Sequence, residues 1–146
     1  MPVEVRQTPR AEQQIAGLRK RSAARLEQFL DDLAARGCEA LGYRLTGPPP
    51  LDHLCVKHLD GLLRVVVGFQ AHDRAWVILV GPHDDRDPDI DVYTALYELA
   101  GVEPADNAGR GKPSCCTGDG LLTAPALGDL VEEIAVRARR LRRTRS

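Results

Sequence analysis

Lys57 and Arg64 stand on either side of Asp60-Gly61, the strongest short hairpin signal in the chain. With Asp60-Gly61 as a two-residue turn, Leu59 pairs with Leu62, His58 with Leu63, Lys57 with Arg64 and Val56 with Val65. Like charges directly opposite on a ladder destabilise it, by a few tenths up to ~1 kcal/mol. One reason to tolerate the pair is an anion held between the two cations, a phosphodiester for example. The other is that two long side chains splay into water, or that one finds a carboxylate. A second turn at His72-Asp73 sets Phe69 against Trp76, Val67 against Ile78 and Arg64 against Gly81. Gly81-Pro82-His83 then leaves the sheet beside Arg64, and His83 comes within reach of the pair. An imidazole, with an ordinary pKa of ~6.5, suits proton transfer. A surface histidine next to the acidic stretch Asp84–Asp91 is the competing reading. His58 falls near the turn on the apolar face, a position more typical of a rim residue than of a catalyst. All of this depends on register, because a slip of one residue sends every side chain to the other face.

The cysteines Cys38, Cys55, Cys115 and Cys116 form no C-x-x-C pair. The segment MPVEVRQTPR has no apolar stretch to act as an export signal, so free thiols are the expected state. A zinc site joining Cys115 and Cys116 to His53, His58 or His72 has no supporting spacing.

The elements that must position these residues are readable from periodicity. Val3 and Val5 alternate with polar residues as in a short strand. Thr8-Pro9 reads as a helix N-cap followed by proline at the first helical position, with Ala11, Ile15 and Leu18 at helical spacing. Arg19-Lys20-Arg21 is a joint, and Ser22 caps a second helix striped by Leu26, Phe29, Leu30 and Leu33 and ended by Gly37. The two helices are expected as an antiparallel hairpin. Gly47-Pro48-Pro49-Pro50 is a rigid connection. Leu54–Leu59, Leu62–Phe69 and Trp76–Val80 are strands of an antiparallel meander. One face collects Leu54, Val56, Leu63, Val65, Val67, Phe69, Trp76, Ile78 and Val80 as a core under the helices; the other collects Cys55, Lys57, Arg64, Val66 and Gly68. Asp91 caps a short helix closed by Gly101, residues 102–120 are irregular, and a last helix from Ala126 runs into arginines. The fold class is therefore α+β: an N-terminal strand and a two-helix hairpin packed on an antiparallel meander, with a C-terminal helical extension.

The chain has 146 residues, enough for one domain, and a formal net charge of −1, which by itself suggests no nucleic-acid partner. Only Lys20, Lys57 and Lys112 of its 20 basic residues are lysine. Arginine clusters at Arg137–Arg145, either for phosphate contacts or as a dipole-favoured helix end. No apolar run reaches the ~18–20 residues of a membrane span, so no membrane partner and a cytoplasmic location are expected.

The order of short strand, two helices, meander and short helix resembles the RelE/ParE superfamily of bacterial toxin–antitoxin toxins. The local pattern is similar too. In Leu54-Cys55-Val56-Lys57-His58-Leu59-Asp60-Gly61-Leu62-Leu63-Arg64-Val65-Val66-Val67, a basic residue on one strand is followed by Arg-Val on the next. Trp76-Val77-Ile78-Leu79-Val80-Gly81-Pro82-His83 resembles the family's last core strand, and Val92-Tyr93 its tyrosine-bearing segment. The resemblance covers roughly residues 3–100. It implies a toxin domain over residues 1–101, with residues 102–146 packed on or extending it.

The activity it implies is that of a ribosome-dependent mRNA endoribonuclease. The RNA's own 2′-hydroxyl attacks the adjacent phosphate, with no metal or other cofactor. The implied partners are a cognate antitoxin and mRNA on the ribosome. Lys57 matches a lysine that stabilises charge or helps deprotonate the 2′-hydroxyl, and Arg64 the arginine that stabilises the phosphorane. His83 stands where RelE has an arginine acting on the leaving group, and Tyr93 matches a tyrosine that orients or stacks on a base. Cys55 departs from a second family lysine, Pro82 replaces a basic or polar residue, and the acidic run Asp84–Asp89 is a poor neighbour for RNA. A ParE-like gyrase inhibitor, or an inactive binding module on this scaffold, would share the fold.

Overall fold

The structure is a computed structural model, and it describes residues 2–45, 51–84, 86–101, 113–117, 121–122, 127–128 and 130–139. The expected proline connection, most of the irregular segment after residue 101 and the arginines from 140 onward lie outside the described residues. In chain order, β1 (Glu4–Gln7), α1 (Pro9–Ala16), α2 (Lys20–Arg36) and the two-residue β2 (Tyr43–Arg44) come first. The meander follows as β3 (Leu54–His58), β4 (Leu63–Ala71) and β5 (Arg74–Pro82), then α3 (Val92–Ala100) and α4 (Leu130–Arg139). The five strands form one mixed sheet, order β1-β5-β4-β3-β2, with β1 parallel to β5 and the other pairs antiparallel. The chain is therefore α+β. Among the described residues no helix is long and apolar enough to cross a membrane.

The helix ends follow local chemistry. Thr8 caps α1 by accepting from the Ala11 N–H, with Pro9 at the first helical position. Asp91 caps α3 by accepting from the Thr94 N–H, and Gly101 closes that helix with φ of 70°. The start of α2 differs from the expectation: the helix begins at Lys20 after Arg19, which makes no side-chain cap, and not at Ser22. Gly37, with φ of 62°, ends it.

The two N-terminal helices play different parts. Leu26, Phe29 and Leu33 of α2 are buried on one face of the sheet. Helix α1 instead seals an edge. β1 reaches only as far as Val77 along β5. Beyond it the Thr8 N–H donates to Val77 O (3.0 Å), the Thr8 hydroxyl donates to Ile78 O (2.8 Å), and Gln14 Oε1 accepts from the Val80 N–H (2.8 Å). These bonds satisfy an edge that would otherwise invite another strand. Arg10 Nε then reaches across to Ala138 O of α4 (3.1 Å).

The meander is buried on both faces, not one. Leu63, Val65, Val67 and Phe69 of β4 pack with Cys55, Ala75 and Val77 under α2. Leu54, Val56, Val66, Ile78 and Leu79 pack with Leu96 and Leu99 of α3 and Ile134 and Ala138 of α4. The runs Leu-Arg-Val-Val-Val and Trp-Val-Ile-Leu-Val are nearly continuous in apolar residues, which is the pattern of a strand covered on both sides. Leu127 lies on Gly68 on the second face, where a β-carbon would meet Leu127 Cδ1 at 2.6 Å.

The expected register of the first hairpin is corrected by one residue. His58 pairs with Arg64, Lys57 with Val65 and Val56 with Val66. The connection is three residues, Asp60-Gly61-Leu62, because the Leu59 N–H donates to Leu63 O (3.0 Å) and the Leu63 N–H to Asp60 O (2.9 Å), with Gly61 at φ of 55°. The extra residue Leu62 separates Lys57 and Arg64 onto opposite faces. In the second hairpin His72-Asp73 is the turn between paired Ala71 and Arg74, as expected. Gln70 then adds one residue to β4 and Ile78 one to β5, so Val67 meets Val77, yet Arg64 still meets Gly81.

The thiol expectation is also corrected: Cys55 and Cys115 form a disulfide, their Cα atoms 6.0 Å apart. The expectation was an argument from compartment, whereas the fold lays the segment 113–117 along β2, with Ser114 bridging to Tyr43, close enough for Cys115 to reach Cys55 on β3. With 60 residues of separation, the loop-closure entropy of such a link corresponds to about 4 kcal/mol.

Candidate functional site

The end of the sheet where β4 begins and β5 stops gathers Arg64, His83 and Tyr93, the last in the first turn of α3. Arg64 is only 9% exposed. One terminal nitrogen of its guanidinium donates to Gly61 O (2.9 Å) and Leu63 O (3.2 Å), which fastens the wide hairpin loop. Its Nε is buried and has no hydrogen-bond partner among the described residues. A buried guanidinium with an unused donor is costly unless something accepts from it.

Tyr93 lies beside Arg64, and its hydroxyl shares a 2.9 Å hydrogen bond with the hydroxyl of Tyr43 on β2. Burial drives the Tyr93 phenol well above the usual tyrosine range, the Tyr43 hydroxyl adds to the shift, and the Arg64 guanidinium opposes it. The phenol is therefore neutral near pH 7. On its other side the Tyr93 ring meets the His83 ring edge-on, centroids 4.7 Å apart. His58 meets the Tyr43 ring in the same way at 5.7 Å. A row of rings, His58–Tyr43–Tyr93–His83, thus runs past the buried guanidinium.

His83 is oriented from behind. Its Nδ1 lies 3.1 Å from Asp91 Oδ1, and its backbone N–H donates to Leu62 O (2.7 Å). Burial alone would raise the Asp91 carboxyl. Hydrogen bonds from the Asp84 N–H, the Thr94 hydroxyl, His83 and the Thr94 N–H outweigh it and hold the carboxyl below its usual range. Facing an ionised carboxylate, Nδ1 carries the ring proton, and in the neutral ring the basic lone pair lies on Nε2.

The acidic loop is turned partly onto itself. Asp84 Oδ1 accepts from the Arg86 N–H (3.0 Å) and Asp87 Oδ1 from the Asp89 N–H (3.1 Å). Asp85 lies outside the described residues. Lys57 is not part of the group: it stands opposite Val65, on the face covered by α2.

Arg64, His83 and Tyr93 are thus brought together and Lys57 is not. Residues that sequence reasoning did not place here are Tyr43 and Asp91. Tyr43 sits in a two-residue strand with no periodicity to announce it. Asp91 was legible as a helix cap, but its second role on His83 depends on the loop folding back. The sequence matches no protein-family model and no curated protein.

Proposed function

We propose that this chain is a toxin of the RelE/ParE kind that cleaves RNA at the Arg64–His83–Tyr93 rim. The observation that carries the reading is the buried Arg64 guanidinium, whose Nε has no hydrogen-bond partner among the described residues, set beside the hydrogen-bonded Tyr43 and Tyr93 hydroxyls and a histidine backed by a carboxylate. A phosphodiester would accept from Arg64, which then stabilises the extra negative charge as the 2′-oxygen adds to phosphorus. His83, held by Asp91, moves the proton that this attack releases or that the departing 5′-oxygen takes up. The rings of Tyr93 and His58 offer edges and faces for an unstacked base. Lys57 has no part in this version of the chemistry. A cognate antitoxin and the ribosome are the partners that go with it.

The test is growth arrest on induction, followed by mapping of mRNA ends in an in vitro translation reaction. Half-exposed His83 can be changed with little risk to the fold. His83→Ala is expected to lower cleavage by about 10²–10⁴-fold, and Arg64→Ala by about 10²–10³-fold in a folded protein. Lys57→Ala is expected to change it by less than about tenfold. Full cleavage by folded His83→Ala and Arg64→Ala refutes the site. Intact mRNA with inhibited gyrase supercoiling refutes the activity in favour of a ParE-type toxin.

A further inference from the structure

The three-residue connection that carries Lys57 away from Arg64 sets His58 in its place. His58 and Arg64 are Cα partners across β3 and β4, and Arg64 and Gly81 are partners across β4 and β5. Partners on antiparallel strands share a face of the sheet. Here it is the face under α3, because Val56, two residues before His58, and Val66, two after Arg64, both pack with Leu96 and Leu99. His83, two residues past Gly81, turns its ring to Tyr93 of α3 and so lies on that face as well. Its N–H donates to Leu62 O (2.7 Å), which continues the pairing of β4 with β5. The two histidines therefore stand on the strands that flank the strand of Arg64, on lines about 10 Å apart at ~4.8 Å per strand.

Both rings are set in one frame. Tyr43 meets His58 edge-on at 5.7 Å, Tyr93 meets His83 edge-on at 4.7 Å, and the two tyrosine hydroxyls meet at 2.9 Å. Solvent reaches both ends of this frame, since His58 is exposed and His83 half-buried, whereas the guanidinium between them is buried. An in-line displacement at phosphorus puts the entering and departing oxygens on opposite sides. One side chain cannot serve both protons from one side, but two that flank the cation can. With a hydrogen bond of ~2.8 Å on either side, a phosphate fits a gap of this order.

We infer that His58 and His83 work as a pair across Arg64, one as general base and the other as general acid, so that His58 is a second proton-transfer group of the site. The inference rests on the RNA-cleaving reading of that site. One imidazole takes the proton of the 2′-hydroxyl as the bond from the 2′-oxygen to phosphorus forms. The other imidazolium gives its proton to the 5′-oxygen as the bond from phosphorus to that oxygen breaks. The RNA is left with a 2′,3′-cyclic phosphate on one fragment and a 5′-hydroxyl on the other. One ring gains the proton that the other loses, and exchange with water resets both.

The placement is tested without activity by titrating inorganic phosphate into the full chain carrying isotope-labelled histidine. The ring signals of His58 and His83 are expected to move together with one dissociation constant. Those of His53, at the start of β3, and His72, in the turn between β4 and β5, are expected to stay in place. Movement of His83 alone, or of all four histidines alike, overturns the pair.

The chemistry is tested on ribosomes programmed with an mRNA whose scissile linkage carries either the ordinary 5′-oxygen or a bridging sulfur, which leaves as thiolate and needs no proton. His58→Gln and His83→Gln are each expected to slow cleavage of the ordinary linkage by about 10²-fold or more. The sulfur linkage is expected to restore one of the two variants to within about tenfold of the parent and to leave the other slow. Restoration of both or of neither, or His58→Gln within about threefold of the parent on the ordinary linkage, overturns the pair while cleavage by the parent still supports the site. Intact RNA with the parent overturns the RNA-cleaving reading, and the proton-transfer role of His58 with it.

Discussion

Gly68 offers a direct test of the packing on the second face of the sheet. Its α-carbon lies under Leu127, and a methyl group there would meet Leu127 Cδ1 at 2.6 Å and Leu54 Cδ2 at 2.9 Å. Both neighbours are buried, Leu54 at 0% and Leu127 at 2% exposed, so neither can swing into water. Leu127 is also fixed by its backbone, which donates to Phe69 O at 2.7 Å. Two opposing effects decide the sign of Gly68→Ala. Removing glycine from the unfolded chain favours folding by ~0.4–1 kcal/mol. Forcing a methyl into a filled site costs ~1–3 kcal/mol. The second wins, and a net loss of ~1–2 kcal/mol is expected, read as a lower urea midpoint with unchanged slope. Leu127→Ala alone is expected to cost ~2–5 kcal/mol. In that background the only remaining clash is with Leu54 Cδ2, which can shift into the vacated space, so Gly68→Ala costs less than in the parent, and the two changes couple by ~1–3 kcal/mol. Urea unfolding of the four proteins in this cycle measures the coupling. A stabilised Gly68→Ala in the parent chain, or additivity within ~0.5 kcal/mol, would refute the packing of Leu127 on β4.

The site gives two further expectations. Because Asp91 has a folded-state pKa below its unfolded one, its stabilisation is complete above about pH 4 and is lost as pH falls through the folded value. Asp91→Asn keeps a capping side chain but removes this contribution, so its acid-unfolding curve should be flatter below about pH 4 than that of the parent. A superimposable curve would count against an ionised Asp91. Tyr93→Phe removes the 2.9 Å hydrogen bond with the part-buried Tyr43 hydroxyl and should cost ~0.5–1.5 kcal/mol in chemical denaturation. A change under ~0.3 kcal/mol would show that the hydroxyl pair is not a working hydrogen bond.

Much of the fold could be read from the chain, because local chemistry determined it. Thr8-Pro9, Asp91 and Gly101 end helices for reasons that need no tertiary information. The three meander strands announce themselves by β-branched runs. Register could not be read in the same way. Asp60-Gly61 fits both a two-residue and a wider turn, and Arg64 stabilises the wider one by bonding the loop carbonyl of Gly61. That choice separates the two cations that a two-residue turn would set face to face. Arg64 and His83 still meet, because Arg64 pairs with Gly81 as expected. The Cys55–Cys115 link was hidden for a different reason: nothing local ties residues 60 positions apart, and only the path of the chain past β2 brings them together.

The two irregularities in the second hairpin have a bearing on how this chain can change length. Gln70 adds a residue to β4 and Ile78 adds one to β5, and the two offsets cancel before the strands reach Arg64 and Gly81. Each is the unpaired extra residue of its own bulge, so loss of either alone removes that bulge and leaves Arg64 opposite Gly81. Loss of both would straighten the ladder and leave the rim as it is. Length variation at these two positions is therefore absorbed where it occurs, and the bulges insulate the Arg64–Gly81 end of the hairpin from it.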